Sequence, residues 1–416
     1  MDILEIAALL IVLAGAFGSI NYFYLHLPHT IGILIVALVA SFAVLGVDFL
    51  VPGLGVAERV RTVIRDLNFS QTLLQGMLGL LLFAGAMHVK LGDLRTQARA
   101  VGLIATLGIG LSTLVMGLGF SWVTGMPLMV ALVFGALISP TDPVAVLGVL
   151  REANLRKSLE TKIAGESLFN DGVGYVVFLL LVGLAFPGHS GHAGTGLGEA
   201  LRLFLQEAVG GALLGGFLGW LTFQLMKRID DYALEVLLSL GLAFGGYELA
   251  VSLGMSGPIA AVVAGLFIGD VGMTYGMSEE TRKYVDAFWK LIDEILNAVL
   301  FLLIGFEVLA VAFNLDTLIA GTAAIGLSLL ARLVAVAVPI LVLKPFRHFS
   351  PGVIPIMTWG GLKGGISVAL ALSLPDTSYK PLILTATYMV VVFSIIIQGL
   401  TVAPLATRIG REPELL

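Results

Sequence analysis

"ISPTDPVAV", residues 138–146, interrupts a long apolar run, and its two prolines decide what kind of chain this is. Pro140 and Pro143 each lack an amide donor and clash with the preceding turn. A helix entering near residue 127 must therefore open around Thr141 and Asp142. At about 1.5 Å per residue, Thr141 lies roughly 20 Å along that helix, close to the middle of a bilayer. Irregular backbone at that depth is tolerated only where protein or a water-filled cavity satisfies it. A second interruption matches the first. In "WGGLKGGISVAL", residues 359–370, Gly360, Gly361, Gly364 and Gly365 bracket Lys363 and favour unwinding. Paired Gly/Pro-broken spans are the sequence pointer to a transporter's binding site.

The rest of the chain fits a bilayer. It is 58% hydrophobic and 12% charged, with a mean hydropathy of +1.02, and a soluble chain would carry about twice the charge. Its 51 glycines and 15 prolines suit tightly packed and locally broken membrane helices. A net charge of −5 with no basic patch excludes nucleic acid as a partner. The absence of cysteine excludes disulfides and thiolate metal sites. His189 and His192 sit in a Gly-rich loop that lacks further metal ligands. No cofactor and no enzymatic chemistry are expected. Met1–Glu5 is acidic, without the basic region of a signal peptide, so the first apolar run is expected to be a retained span.

Requiring roughly 20 apolar residues per helix gives an all-α polytopic membrane protein of thirteen spans. They lie at about 3–24, 29–47, 71–88, 100–123, 127–150, 159–186, 200–227, 232–252, 256–274, 288–313, 317–343, 352–374 and 381–406. The ninth is the weakest. With the N-terminus outside and the C-terminus inside, the basic residues at 90–99, 151–162, 227–228, 282–290, 344–347 and 408–411 are cytoplasmic. Arg59, Arg61, Arg65, Arg202 and Lys380 then fall outside, and Arg332 and Lys363 lie within apolar spans. The broken spans, five and twelve, are seven apart and cross in opposite directions. Spans 1–6 and 8–13 are thus expected to be inverted repeats linked by span seven.

The breaks carry complementary charges. Asp142 precedes a half-helix expected from Pro143, where the positive dipole end stabilises an anion. Lys363 lies between two half-helix ends and can offset the carbonyl end of the first. Neither can snorkel to the surface from mid-span, and intramembrane ionisable groups are functional by default.

"GESLFNDGVG", residues 165–174, adds two carboxylates to an apolar helix. Asp171 is about 12 residues into span six, again near the midplane. Ser167 lies one turn earlier on the same face, and Glu166 and Asn170 form a second i, i+4 pair beside it. A carboxylate, a hydroxyl and freed carbonyls at 139–141 are hard oxygen ligands of the kind an alkali cation takes. The same carboxylate can hold a proton instead. A site that takes either, never both, is an exchanger.

"SPTDPVAV", "GESLFNDGVG", Arg332 in "LLARLVAV" and "GGLKGGISVALAL" together resemble the cation:proton antiporters, specifically sodium/proton exchangers of the NHE/NhaP type. The resemblance covers essentially the whole chain, spans 5–13 most clearly. It implies that Asp171 alternately carries cation and proton, with Na+ (or Li+) held by Asp171, Ser167 and the Thr141 backbone. It also implies that Glu166 pairs with Arg332 close to the ion. Asn170 ties span six to the unwound segments, and Asp142 and Lys363 neutralise half-helix ends. The implied whole is a single exchanger domain over 1–416, a homodimer in a prokaryotic inner (plasma) membrane. Its core bundle, including about 71–186 and 317–406, moves against a scaffold that also forms the dimer interface. Lys363 stands where animal exchangers have arginine, so bidentate contacts there do not follow. No counterpart of the long cytoplasmic tail of animal exchangers is expected, and with it no tail-based regulation.

Three rival readings compete with this one. An intramembrane aspartyl protease needs paired aspartates that "GLFIGD", residues 265–270, does not supply near span six. A cation channel fits poorly with buried charges and two broken helices. A potassium/proton exchanger of the same fold stays open, because selectivity depends on sub-ångström ligand spacing. Gly211, Gly215 and Gly219 read as close helix packing, and Glu235, Glu248 and Glu307 as rim or packing groups.

Overall fold

The computed structural model describes residues 3–51, 76–142, 157–186, 197–309, 314–345, 349 and 352–409. Regular structure there is entirely helical. The helices are α1 (Ile3–Ile20), α2 (His29–Leu50), α3 (Leu78–Met87), α4 (Leu91–Leu103), α5 (Ile109–Thr124) and α6 (Leu128–Ile138). They continue as α7 (Lys157–Ala185), α8 (Leu197–Met226), α9 (Tyr232–Ser252), α10 (Gly257–Phe267), α11 (Met273–Tyr275) and α12 (Glu279–Glu307). The last are α13 (Leu315–Leu343), α14 (Val353–Trp359), α15 (Gly365–Leu372), α16 (Lys380–Phe393) and α17 (Gly399–Ile409). Single π-helical stretches join α4 to α5 (Ile104–Gly108), α10 to α11 (Ile268–Gly272) and α16 to α17 (Ser394–Gln398).

Local chemistry sets these boundaries. Asp231, Ser256 and Ser278 cap α9, α10 and α12 by accepting the amides of Leu234, Ile259 and Thr281. Asn314 and Thr317 form a reciprocal capping box at the start of α13. Gly125, at φ 69°, ends α5 in the left-handed conformation that glycine adopts without strain.

Among the described residues, nine helical stretches are long and apolar enough to cross a membrane. The ninth expected span, weakest in the sequence, is one of them, as Gly257–Tyr275. The third, fifth, tenth and twelfth are not: α3 is only 10 residues long, α12 carries charges from Glu279 to Glu294, α6 stops at Ile138, and α14 and α15 are separated by non-helical Gly361–Gly364. The second half of the fifth span, with the helix start expected at Pro143, lies outside the described residues, as do His189 and His192.

Apolar side chains gather into two main cores. The larger joins α5, α6, α7 and α13–α17 through residues such as Phe120, Phe134, Leu137, Met357 and Val391. The second joins α3, α9, α10 and α12 around Phe83, Tyr247, Ala264 and Trp289. Tight backbone approach joins α8 to α10. A Cβ on Gly211 would come within 2.6 Å of the Ser256 carbonyl oxygen, and one on Gly215 would collide with that of Ala260. The glycine series of α8 therefore lies flush on α10, which is the small-residue packing that apolar solvent demands.

Candidate ion-exchange site

Two non-helical segments meet inside the larger core. After α6 the backbone runs through Ser139, Pro140, Thr141 and Asp142 without helical bonding, and after α14 through Gly361–Gly364. The Asp142 amide donates to the Leu362 carbonyl oxygen at 2.8 Å, so each break supplies a partner the other lacks. Contact is close enough that a Cβ on Gly364 would collide with the Asp142 side chain.

The structure places the Lys363 ammonium away from the carbonyl end of its own crossing, where the sequence reading puts it, while the half-helix expected after Asp142 lies outside the described residues. Lys363 Nζ does not turn to the end of α14. It donates to the carbonyls of Ser139 (2.8 Å) and Pro140 (3.3 Å), at the carbonyl end of α6. Asp142, half-buried, lies against Gly364, at the amide end of α15. Each charged group thus serves the half-helix of the opposite crossing, where its sign matches the dipole. The Ser139 hydroxyl closes the α6 end, donating to the Gly135 carbonyl (2.6 Å), with the Ser112 hydroxyl 2.8 Å away and able to donate to it.

α7 brings the other groups. Glu166, Ser167, Asn170 and Asp171 occupy adjacent positions on consecutive turns and are all buried. Asn170 grips the first break twice: Oδ1 accepts the Thr141 amide at 3.2 Å, and Nδ2 donates to Thr141 Oγ1 at 2.8 Å. Ser167 Oγ is 3.0 Å from Thr141 Oγ1. Asn170 Nδ2 also lies 3.3 Å from Glu166 Oε1.

Glu166 is neutralised from α13. Arg332 NH1 bonds Glu166 Oε1 and NH2 donates to Oε2 at 2.8 Å, a fork-to-fork pair with both side chains buried. The guanidinium is held further by the Met357 carbonyl, which accepts from Nε (3.2 Å) and NH2 (3.0 Å). A Cβ on Gly361 would strike it. Arg332 therefore has its charge and three of its donor atoms satisfied in a buried setting.

Asp171 does not. It is 5% exposed, and its Oδ1 is buried with no hydrogen-bond partner among the described residues. An ionised oxygen left this way is costly unless a cation or a proton joins it. Chemically the arrangement offers a carboxylate with an unpartnered oxygen one helical turn from Ser167, whose hydroxyl lies 3.0 Å from Thr141 Oγ1. The neighbouring charges are already paired or placed at helix ends. No cluster of three or more His, Cys, Asp or Glu among the described residues could hold a resident metal.

All eight residues read from the sequence converge here. The Met357 carbonyl and the Ser112 and Ser139 hydroxyls were not anticipated. Ser112 carried a signal, as a hydroxyl beside Thr113 in an apolar helix, whereas Met357 acts through its backbone and had none.

Residues 6–408 match the family described as sodium/hydrogen exchanger, transmembrane. The Na(+)/H(+) antiporter NhaP of Pseudomonas aeruginosa is 47% identical over 418 residues, covering 98% of this chain and 97% of that protein. The Na(+)/H(+) antiporter NhaH of Halobacillus dabanensis is 34% identical across 92% of each chain. In three dimensions the chain is similar to the sodium proton antiporter MjNhaP1 from Methanocaldococcus jannaschii at pH 8, with a TM-score of 0.78. That likeness spans 98% of this chain and 99% of the other at 21% identity, and shows a shared fold.

Proposed function

Since this chain belongs to the transmembrane sodium/hydrogen exchanger family, we propose that it exchanges sodium ions for protons across a bacterial plasma membrane by alternating access. The observation that carries the reading is Asp171 Oδ1, buried and without a hydrogen-bond partner among the described residues, one helical turn from Ser167. Asp171 takes a sodium ion or a proton in turn, and the hydroxyl oxygens of Ser167 and Thr141 complete the cation's shell. The Glu166–Arg332 pair keeps Glu166 from competing for the ion. One carboxylate carrying one charge makes exchange electroneutral, because Asn170, beside it, cannot titrate.

The wider arrangement follows from the same reading. Thirteen crossings put the N-terminus outside and the C-terminus inside, and spans 1–6 and 8–13 form inverted repeats. The bundle around the two breaks, including about 71–186 and 317–406, moves against the remaining helices, which also pair two copies into a dimer.

The test is purified protein in vesicles carrying a pH-sensitive dye, challenged in turn with sodium, lithium and potassium. Sodium should drive proton efflux with no steady current on a solid-supported membrane. Asp171→Asn should abolish exchange while the protein stays folded. An active Asp171→Asn would remove the site, and a sustained transport current would remove the one-for-one stoichiometry.

A further inference from the structure

The last crossing touches the second break with a stripe of polar groups that the exchange chemistry does not use. Ser394, Gln398 and Thr401 recur at i, i+4 and i+7 in an otherwise apolar run from α16 into α17. Ser394 Oγ accepts the Lys363 amide at 2.9 Å and donates to Gln398 Oε1 at 2.6 Å. Gln398 Nε2 donates to the Trp359 carbonyl at 2.9 Å, at the end of α14. The Trp359 indole closes the loop by donating to Thr401 Oγ1 at 2.8 Å. Ser394 and Gln398 are buried, and they bound the π-helical stretch Ser394–Gln398. Such widened turns recur at functional sites, where they re-aim side chains out of the regular helical register.

These bonds have a direction. The break leaves the Trp359 carbonyl and the Lys363 amide without helical partners, and Gln398 and Ser394 satisfy one each. The Gln398 amide fits because it must accept from a hydroxyl and donate to a carbonyl at once. A carboxylate could do only the first. With its backbone fixed, Lys363 reaches Ser139 and Pro140, the segment that leads to Thr141 and so to Asn170 and Ser167. Its ammonium is close enough to interact electrostatically with Asp171. Glu166, Arg332 and Asp142 share that field.

We propose that Ser394 and Gln398 are positioning residues for exchange: they fix the backbone at Lys363, and through it the first break, without touching the ion. The inference rests on the antiport reading. Its sign is set by electrostatics. Letting the ammonium drift from Asp171 favours the neutral carboxyl, so protons would displace the cation at higher pH.

The experiment compares full-length wild type, Ser394→Ala, Ser394→Thr and Gln398→Leu in vesicles. Maximal rate and apparent Km for sodium are measured from pH 6 to 9, with melting temperatures in detergent alongside. Ser394→Ala and Gln398→Leu should lower the maximal rate about fivefold, the effect of roughly one lost hydrogen bond. They should also move the midpoint of the pH dependence of Km upward by about half a unit. Ser394→Thr keeps the hydroxyl and should recover the wild-type midpoint. A lower rate with an unmoved midpoint, or no change at all, overturns the positioning role while wild-type exchange leaves the antiport reading standing. A wild type silent in the same vesicles takes both down. Should the variants not fold, hydrogen exchange on the wild type decides, because an unprotected Lys363 amide is incompatible with its bond to Ser394.

Discussion

Replacing Arg332 with methionine should destabilise the protein more than any single surface charge change. The side chain makes two bonds to Glu166 and two to the Met357 carbonyl, all buried. Methionine fills much of the volume and removes the charge, which leaves Glu166 with Asn170 Nδ2, at 3.3 Å, as its hydrogen-bond partner among the described residues. Breaking a buried pair from one side costs about 3–5 kcal/mol, mostly because the remaining charge has no compensation. At about 2.1 cal/mol/K per residue, the 416 residues have an unfolding entropy near 0.9 kcal/mol/K, so the melting temperature should fall by roughly 3–6 °C. Exposed Arg408, changed to alanine, should shift it by less than about 1 °C. Removing both charges in Glu166→Gln/Arg332→Met should recover a good part of the loss, since no ion then stays buried. The assay is thermal unfolding in detergent of purified wild type, Arg332→Met, Glu166→Gln, the double variant and Arg408→Ala. A double variant as unstable as the sum of the singles would refute the coupling. Equal melting of Arg332→Met and Arg408→Ala would refute the importance of the pair altogether.

Other perturbations test other parts of the molecule. Gly364→Ala places a methyl group against Asp142 and should cost about 1–3 kcal/mol of stability with a large loss of sodium flux, read by melting and vesicle assays. Gly215→Leu should separate α8 from α10 and lower yield and melting temperature, whereas Gly245→Ala, with open space around it, should be neutral. Acid should raise the apparent Km for sodium, because protons and cations compete for Asp171; a Km constant across the working pH range would contradict a single shared site. Asp376, exposed in the turn before α16, has its carboxyl held below the usual range by the Lys380 hydrogen bond. Any stabilisation it gives exists above the unfolded carboxylate range and fades as pH falls through the lowered value. Solvent screens so exposed a pair, and Asp376→Asn should melt with wild type between pH 5 and pH 8.

The sequence by itself determined where helices could exist and where they must fail. Continuous apolar runs cannot fold in water, and in lipid they have only the helix to satisfy their backbone. Pro140, Pro143 and the four glycines around Lys363 are local breakers whose effect needs no tertiary information. The i, i+4 spacing on α7 likewise fixed which polar groups share a neighbourhood with Asp171. Partner choice was not local. Nothing in the chain order says that Lys363 would cap α6 and that Asp142 would lie at α15, each serving the other's break. That choice follows from how the two segments cross, which brings residues more than 200 positions apart within hydrogen-bond distance. Backbone groups such as the Met357 carbonyl carry no sequence signature at all, since every residue has one. Ser394 and Gln398 were visible as a polar stripe, but their meaning lay in the amide and carbonyl they face, and only the packing of the last crossing against the second break supplied those.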